Sequence, residues 1–136
     1  MTEIFDISLP PFERGFHLIT THIESHLDNL PENGLVNIFI QHTSAALTIN
    51  ENYDPSVRVD MNNISDKLVP EDESFYTHTM EGSDDMPAHF KSSLMGSSVT
   101  IPIRNSRLAL GTWQGIYLCE FRNRAGGRRL LISVIC

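Results

Sequence analysis

Four segments in the last third of the chain, 98–103, 107–112, 115–122 and 128–135, constrain the fold more than anything upstream. Each alternates apolar and polar residues or is rich in β-branched side chains, the pattern of a pleated, half-buried strand. The links between them are short. Asn105-Ser106 has turn composition, and the stretch from Asn123 to Gly127 suits a longer hairpin loop. Strands joined by short links pair antiparallel, because a parallel crossover needs about a dozen residues or more.

Further strands precede these four. In 34–41, GLVNIFIQ, the residues Val36, Ile38 and Ile40 share one face, while Leu35 and Phe39 make the other face apolar too. That predicts a central strand covered on both sides, and continuing the alternation puts His42 at the end of the Val36 face. Residues 45–50 predict another strand, with Ala45, Leu47 and Ile49 on one side. Ile4 and Ile7 mark a short strand over 3–8 that stops at Pro10-Pro11.

Three segments carry helical spacing. Phe16, Ile19, Ile23, Leu27 and Leu30 predict an amphipathic helix ended by Pro31 and Gly34. Asp54-Pro55 has the form of a helix start, followed by Val57, Met61, Ile64 and Leu68 on one face and closed by Pro70. After an acidic loop over 71–85, a short helix is expected over 86–95, capped by Asp84 or Asp85 and ended by Gly96. The expected fold is α+β, a mostly antiparallel, β-sandwich-like sheet with about three helices, in a single domain over 1–136.

Bulk properties restrict the function. At 136 residues, 40% hydrophobic and 20% charged, the chain can bury a core without staples. A net charge of −7 disfavours general nucleic-acid binding, though a local Arg or Lys cluster could still hold a small phosphorylated substrate. No basic, apolar leader opens the chain and no apolar run has membrane-spanning length, so a cytoplasmic location with no membrane contact is expected. Of the two cysteines, Cys119 lies in an apolar strand and reads as a buried thiol.

The residues that strands and turns do not need cluster in QHTSAALTINE (41–51) and YTHTMEGSDDMPAH (76–89). His42, His78 and His89 are candidate ligands for a divalent metal, zinc first, since a catalytic zinc site has three protein ligands and one open position. Glu51, Asp60, Glu81, Asp84 and Asp85 are candidate acids, bases or partners of the imidazoles. For Asp84 and Asp85 helix capping competes, and Asp60 also suits a plain solvent-facing acid. His22 and His26 stand one turn apart but have no third ligand nearby in sequence. Thr43 and Ser44 follow His42, yet adjacent residues on an extended strand point to opposite faces, and no nucleophile elbow is present, which excludes serine-hydrolase chemistry. The two glycines around Trp113 mark a turn, a bulge or a place where backbone approaches a ligand.

HTSAALTINEN (42–52) with DP at 54–55, H-x-x-E-G at 78–82, H-x-K at 89–91 and LGTWQGIYLCEF (110–121) together resemble the YjbQ family, also called the secondary thiamine-phosphate synthase enzyme family. Where that family reads E-G-N-A-D-A-H, this chain has the longer Glu81-Gly82-Ser83-Asp84-Asp85-Met86-Pro87-Ala88-His89. The resemblance implies a compact β-sandwich-like α+β fold, a homotrimer and a weak thiamine-phosphate synthase activity. That reaction couples a pyrimidine methyl pyrophosphate to a thiazole phosphate and releases pyrophosphate. It further implies a polar site at His42, Thr43, Asn50, Glu51, Asp60, His78, Glu81 and His89 that can hold a metal. Chemically, pyrophosphate departure needs positive charge, from a metal or from Lys91 and Arg104. Glu51 and Asp60 would stabilise cationic character on the pyrimidine, Glu81 would serve as acid or base, and Thr43 and Asn50 would contact substrate. A metal-dependent hydrolase of another phosphorylated metabolite, and a non-enzymatic trimeric metal- or small-molecule-binding protein, are the alternatives.

Overall fold

In the computed structural model, which describes residues 1–136, two antiparallel sheets stack face to face. The larger has the order β1 (Thr2–Leu9), β8 (Arg128–Ile135), β3 (Asn33–Ile40), β5 (Ser98–Arg104), β6 (Arg107–Leu108). The smaller has the order β2 (Gly15–Leu18), β7 (Gln114–Glu120), β4 (Ala45–Glu51). Strand alternation decides what meets between them. Ile7, Val36, Ile38, Ile40, Ile101, Leu130 and Ile132 from the large sheet are buried against Ala45, Leu47, Ile116 and Leu118 from the small one. The α+β, largely antiparallel architecture expected from the sequence is the one observed, with three helices.

Those helices are α1 (Thr20–Glu24), α2 (Pro55–Leu68) and α3 (Asp85–Met95). α2 and α3 cover the outer face of the small sheet, where Phe16, Ala46, Tyr117 and Cys119 pack with Ala88, Phe121, Met61 and Met95. The doubly covered strand is therefore β7, whose residues Gly115 to Glu120 are all buried. This corrects the reading of β3: Leu35 is 42% and Phe39 41% exposed, because no helix crosses the outer face of the large sheet. Cys119 is a buried free thiol, as its surroundings in sequence implied, and burial pushes its pKa well up.

Three other expectations need correcting. The helix over 16–30 does not form. Phe16 sits in β2 opposite Cys119, and only Thr20–Glu24 is helical, with Ile19 and Ile23 in the central core. The three- and four-residue spacing spanned a strand and one short helix that feed different layers. On α2, Asp54 does cap Ser56 and Pro55 does open the helix. However, Val57, Met61 and buried Ser65 make the inward stripe, leaving Ile64 and Leu68 exposed at 56% and 68%. Moving from position 64 to 65 turns the buried face by about 100°. Finally, the strand expected over 107–112 stops at Leu108. Beyond it the backbone turns: Gln114 N–H donates to Gly111 O, and the Asn52 amide donates to Thr112 O and Gln114 O at 3.1 and 3.0 Å. Gly115 lets the end of this turn pack closely, since a Cβ there would lie 2.6 Å from Leu18 Cδ2 and 3.0 Å from Asn52 Cβ and would push both aside.

Candidate functional site

The acidic loop and the start of α3 bring three donor groups together. Asp85 lies in the first turn of α3 and His89 one turn later, so both project from one face of the helix. His78 reaches them from the loop. His78 Nε2 stands 2.6 Å and His89 Nε2 3.0 Å from the same oxygen, Asp85 Oδ2. The three donor atoms all lie within 4.8 Å of one another. Asp85 is buried, while the side chains of His78 and His89 are 43% and 32% exposed, so the cluster opens to solvent on one side.

The surroundings aim these groups. His89 Nδ1 lies 2.9 Å from the carbonyl of Thr43, which can only accept, so Nδ1 carries the proton and Nε2 is directed at the cluster. An imidazole that donates its second N–H to a backbone carbonyl is the usual setting of a metal-bound histidine. Arg122, just past β7, donates to Asp85 Oδ1 at 2.5 Å, to Asp84 Oδ2 at 2.9 Å and to Glu81 O at 2.9 Å. It leaves Asp85 Oδ2 to the two histidines. Burial works to raise the Asp85 pKa, but hydrogen bonding with His78 and with Glu81, together with the charges of Arg122 and His89, outweighs it and holds the carboxyl below its ordinary range. Asp84 is likewise depressed against its burial, by Asn123 N–H and Arg122. Asp84 holds the N-cap position of α3, as the sequence suggested, and its carbonyl accepts from Ala88 N–H, but its carboxylate makes no capping bond and is turned to Arg122 and Asn123 instead.

The donor set fits a divalent metal: two imidazole nitrogens and one carboxylate, the combination found with catalytic zinc and with ferrous iron. Glu81 Oε2 is 3.8 Å from His78 Nε2 on an exposed side chain, at the rim of the cluster. His42 does not join it. Its Nε2 accepts the backbone N–H of Arg129 at 2.8 Å, and its ring instead lines a cleft of about 430 Å³ with Thr43, His89, Ser92, Ser93 and Ser97.

The remaining sequence candidates are dispersed. Thr43 enters through its carbonyl and its place in the cleft. Asn50 Oδ1 accepts from Glu51 N–H, and the Glu51 carboxylate accepts from the backbone of Tyr53 and Asp54, closing the turn into α2. Asp60 is exposed on α2. Lys91 is 1% exposed and pairs with Asp66 at 2.7 Å above the Phe121 ring, so it cannot serve a ligand at the surface. Arg104 ends β5 opposite Asn33, whereas the cleft adjoins the Ser98 end; seven strand residues put about 20 Å between them. Sequence reasoning missed Arg122 altogether and undervalued Asp85. The i, i+4 spacing of Asp85 and His89 was the one available signal.

Comparison with known proteins decides the kinship. The family model described as UPF0047 protein YjbQ-like matches residues 6–136. The chain belongs to the YjbQ family. Within that family it is 50% identical over 130 residues to the UPF0047 protein YjbQ of Salmonella typhimurium, covering 94% of each chain. It is 44% identical over 104 residues to YugU of Bacillus subtilis, covering 76% of each. A solved YjbQ-family structure from Clostridium acetobutylicum superimposes with a TM-score of 0.86 at 38% identity, over 96% of this chain and 99% of that one. The YjbQ fold persists at greater distance: a Sulfolobus solfataricus protein of unknown function gives a TM-score of 0.87 at 22% identity, over 99% and 97% of the two chains.

Proposed function

We propose that the chain is a metal-dependent enzyme acting on a small phosphorylated substrate, with thiamine-phosphate-synthase-type coupling as its leading reaction. The observation that carries this is the convergence of His78 Nε2, Asp85 Oδ2 and His89 Nε2 within 4.8 Å at a site open to solvent. A bound divalent ion, zinc foremost, would supply positive charge to the oxygens of departing pyrophosphate. His78, Asp85 and His89 would hold it, with Arg122 fixing the Asp85 carboxylate and the Thr43 carbonyl fixing His89. Because Lys91 is buried against Asp66 and Arg104 lies at the far end of β5, the site itself must provide that charge. For the same reason Glu51 and Asp60, which are outside the cluster, carry no step in this reading.

Glu81 favours a second reading. Its exposed carboxylate beside His78 is placed to take a proton from water, which suits hydrolysis of a phosphorylated metabolite. A homotrimer is the proposed assembly, supported by the exposed apolar residues Leu35, Phe39 and Ile135 on the uncovered sheet face; light scattering of the purified chain tests it. To test the reaction, the chelated and metal-reloaded protein is given the pyrimidine methyl pyrophosphate and thiazole phosphate, alongside a panel of phosphorylated metabolites. Metal-dependent thiamine phosphate, lost in His78→Ala and His89→Ala, supports the leading reading. Metal-dependent release of phosphate alone, lost in Glu81→Gln, supports the second. Neither product would leave a binding module and reject both.

A further inference from the structure

The one ion pair buried on both sides, Glu120 with Arg128, ties the two sheets together and has no part in the site described so far. Glu120 ends β7 and follows Ile116 and Leu118 on its inward face; Arg128 opens β8 and precedes Leu130 and Ile132 on its inward face. Arg128 Nε donates to Glu120 Oε1 at 2.8 Å and Nη2 to Glu120 Oε2 at 2.6 Å. Two charges at the end of an apolar core are weak evidence for stability, because apolar residues of the same volume often do as well or better there. Their other contacts give them a use.

Those contacts lead to the His78–Asp85–His89 cluster by two routes. On the first, Arg128 Nη2 also donates to Ser44 Oγ at 2.9 Å and to Ser44 O at 3.2 Å. Ser44 is itself buried, on the link from β3 to β4, and the residue before it is Thr43, whose carbonyl accepts from His89 Nδ1 at 2.9 Å. On the second, Glu120 Oε2 accepts the backbone N–H of Arg122 at 3.2 Å, and the Arg122 guanidinium holds Asp85 Oδ1. Two of the three cluster donors, His89 and Asp85, are therefore aimed by residues that the same buried pair holds in place. The guanidinium suits this junction, since its rigid planar fork serves the carboxylate and Ser44 at once.

We infer that Glu120 and Arg128 are positioning residues of the cluster, orienting His89 through Ser44 and Thr43 and orienting Asp85 through Arg122. This role rests on the reading of the cluster as a metal site. It adds an outer layer to that site: neither residue touches the donors, yet both carboxylate and imidazole depend on them. Such outer partners are what set the affinity of a metal site once its ligands are chosen.

The test compares the full-length unmodified protein with the double variant Glu120→Leu/Arg128→Met, which removes the pair without leaving a buried charge, and with Arg128→Lys, which keeps the charge and loses the fork. Gly115→Ala, five residues from Glu120 at the other end of β7, is the control for general destabilisation. Two readouts are taken: zinc affinity by competition with a chromophoric chelator, and crystal structures of the metal-free proteins. Zinc binding should weaken about tenfold or more in the double variant and about threefold in Arg128→Lys, while Gly115→Ala keeps the unmodified affinity. In the metal-free double variant the Thr43 O to His89 Nδ1 distance should open beyond about 3.5 Å, the limit of a hydrogen bond. A pair that only stabilised the fold would change the melting temperature and neither readout. Zinc affinity within about twofold of the unmodified protein in both variants, or an intact Thr43–His89 contact in the double variant, would overturn the inference. Failure of the unmodified protein to bind zinc would instead reject the metal reading, and the Thr43–His89 distance would then decide the positioning role alone.

Discussion

Replacing Arg122 tests how the cluster is held. Its guanidinium makes charge-assisted bonds to Asp84, Asp85 and the Glu81 carbonyl, and its side chain is only 23% exposed, against 10% and 1% for the two carboxylates. Three such bonds at about 1.5–3 kcal/mol each would suggest a large loss. Two things reduce it. Asp84 keeps the Asn123 N–H and Asp85 keeps both histidines, and water can enter the space the guanidinium leaves. Breaking a buried ion pair by removing one partner gives about 3–5 kcal/mol, and partial exposure places Arg122→Ala near the lower end, about 3 kcal/mol. For a domain of this size that corresponds to roughly 10–15 °C in Tm. Arg122→Lys should recover less than half, since an ammonium cannot span the fork between two carboxylates. The assay is urea unfolding at neutral pH with amide exchange on residues 78–82, which should accelerate in Arg122→Ala as the Glu81 anchor is lost. A destabilisation under about 1 kcal/mol would show that Arg122 does not organise the loop and would refute the reasoning.

Other outcomes follow from the same structure. Asp66, Glu71, Asp84 and Asp85 all have pKa values held below the ordinary carboxylate range. Such groups bind fewer protons folded than unfolded, so their stabilisation is full above about pH 4–5 and should be lost as pH falls through the folded values; equilibrium unfolding from pH 7 to pH 3 checks the direction. Gly115→Ala should destabilise by about 1–3 kcal/mol, because its Cβ would be pressed against Leu18 and Asn52, and thermal melting reads this directly. In a thiol-reactivity assay, exposed Cys136 should react promptly and buried Cys119 only after denaturation, since burial disfavours the thiolate.

The sequence made the sandwich legible where one rule applied at a time. Strands β3, β4, β5, β7 and β8 follow alternation, and α2 and α3 follow their Asp-Pro and Gly punctuation. Legibility failed where two layers shared one pattern. Phe16 and Ile19 have helical spacing but serve opposite faces of the small sheet, and nothing local distinguishes that from a helix. For the site, His78 and His89 were recognisable by residue type and surroundings, whereas the division of roles was not. His42 is drawn off by a strand N–H 87 residues away in sequence. Lys91, which looks like a free cation, is neutralised by Asp66 across 25 residues. Arg122 orients the cluster from 37 residues beyond Asp85, a contact that only the folded chain creates.

The central claim is that His78, Asp85 and His89 hold a divalent metal. Elemental analysis of metal-reloaded protein, coupled to a crystal structure measured at the metal's absorption edge, tests it most directly. One ion per chain is expected, with the anomalous peak about 2.0–2.2 Å from His78 Nε2, His89 Nε2 and Asp85 Oδ2, and no occupancy in His89→Ala. Full metal content in His89→Ala, or a peak on other residues, would contradict it.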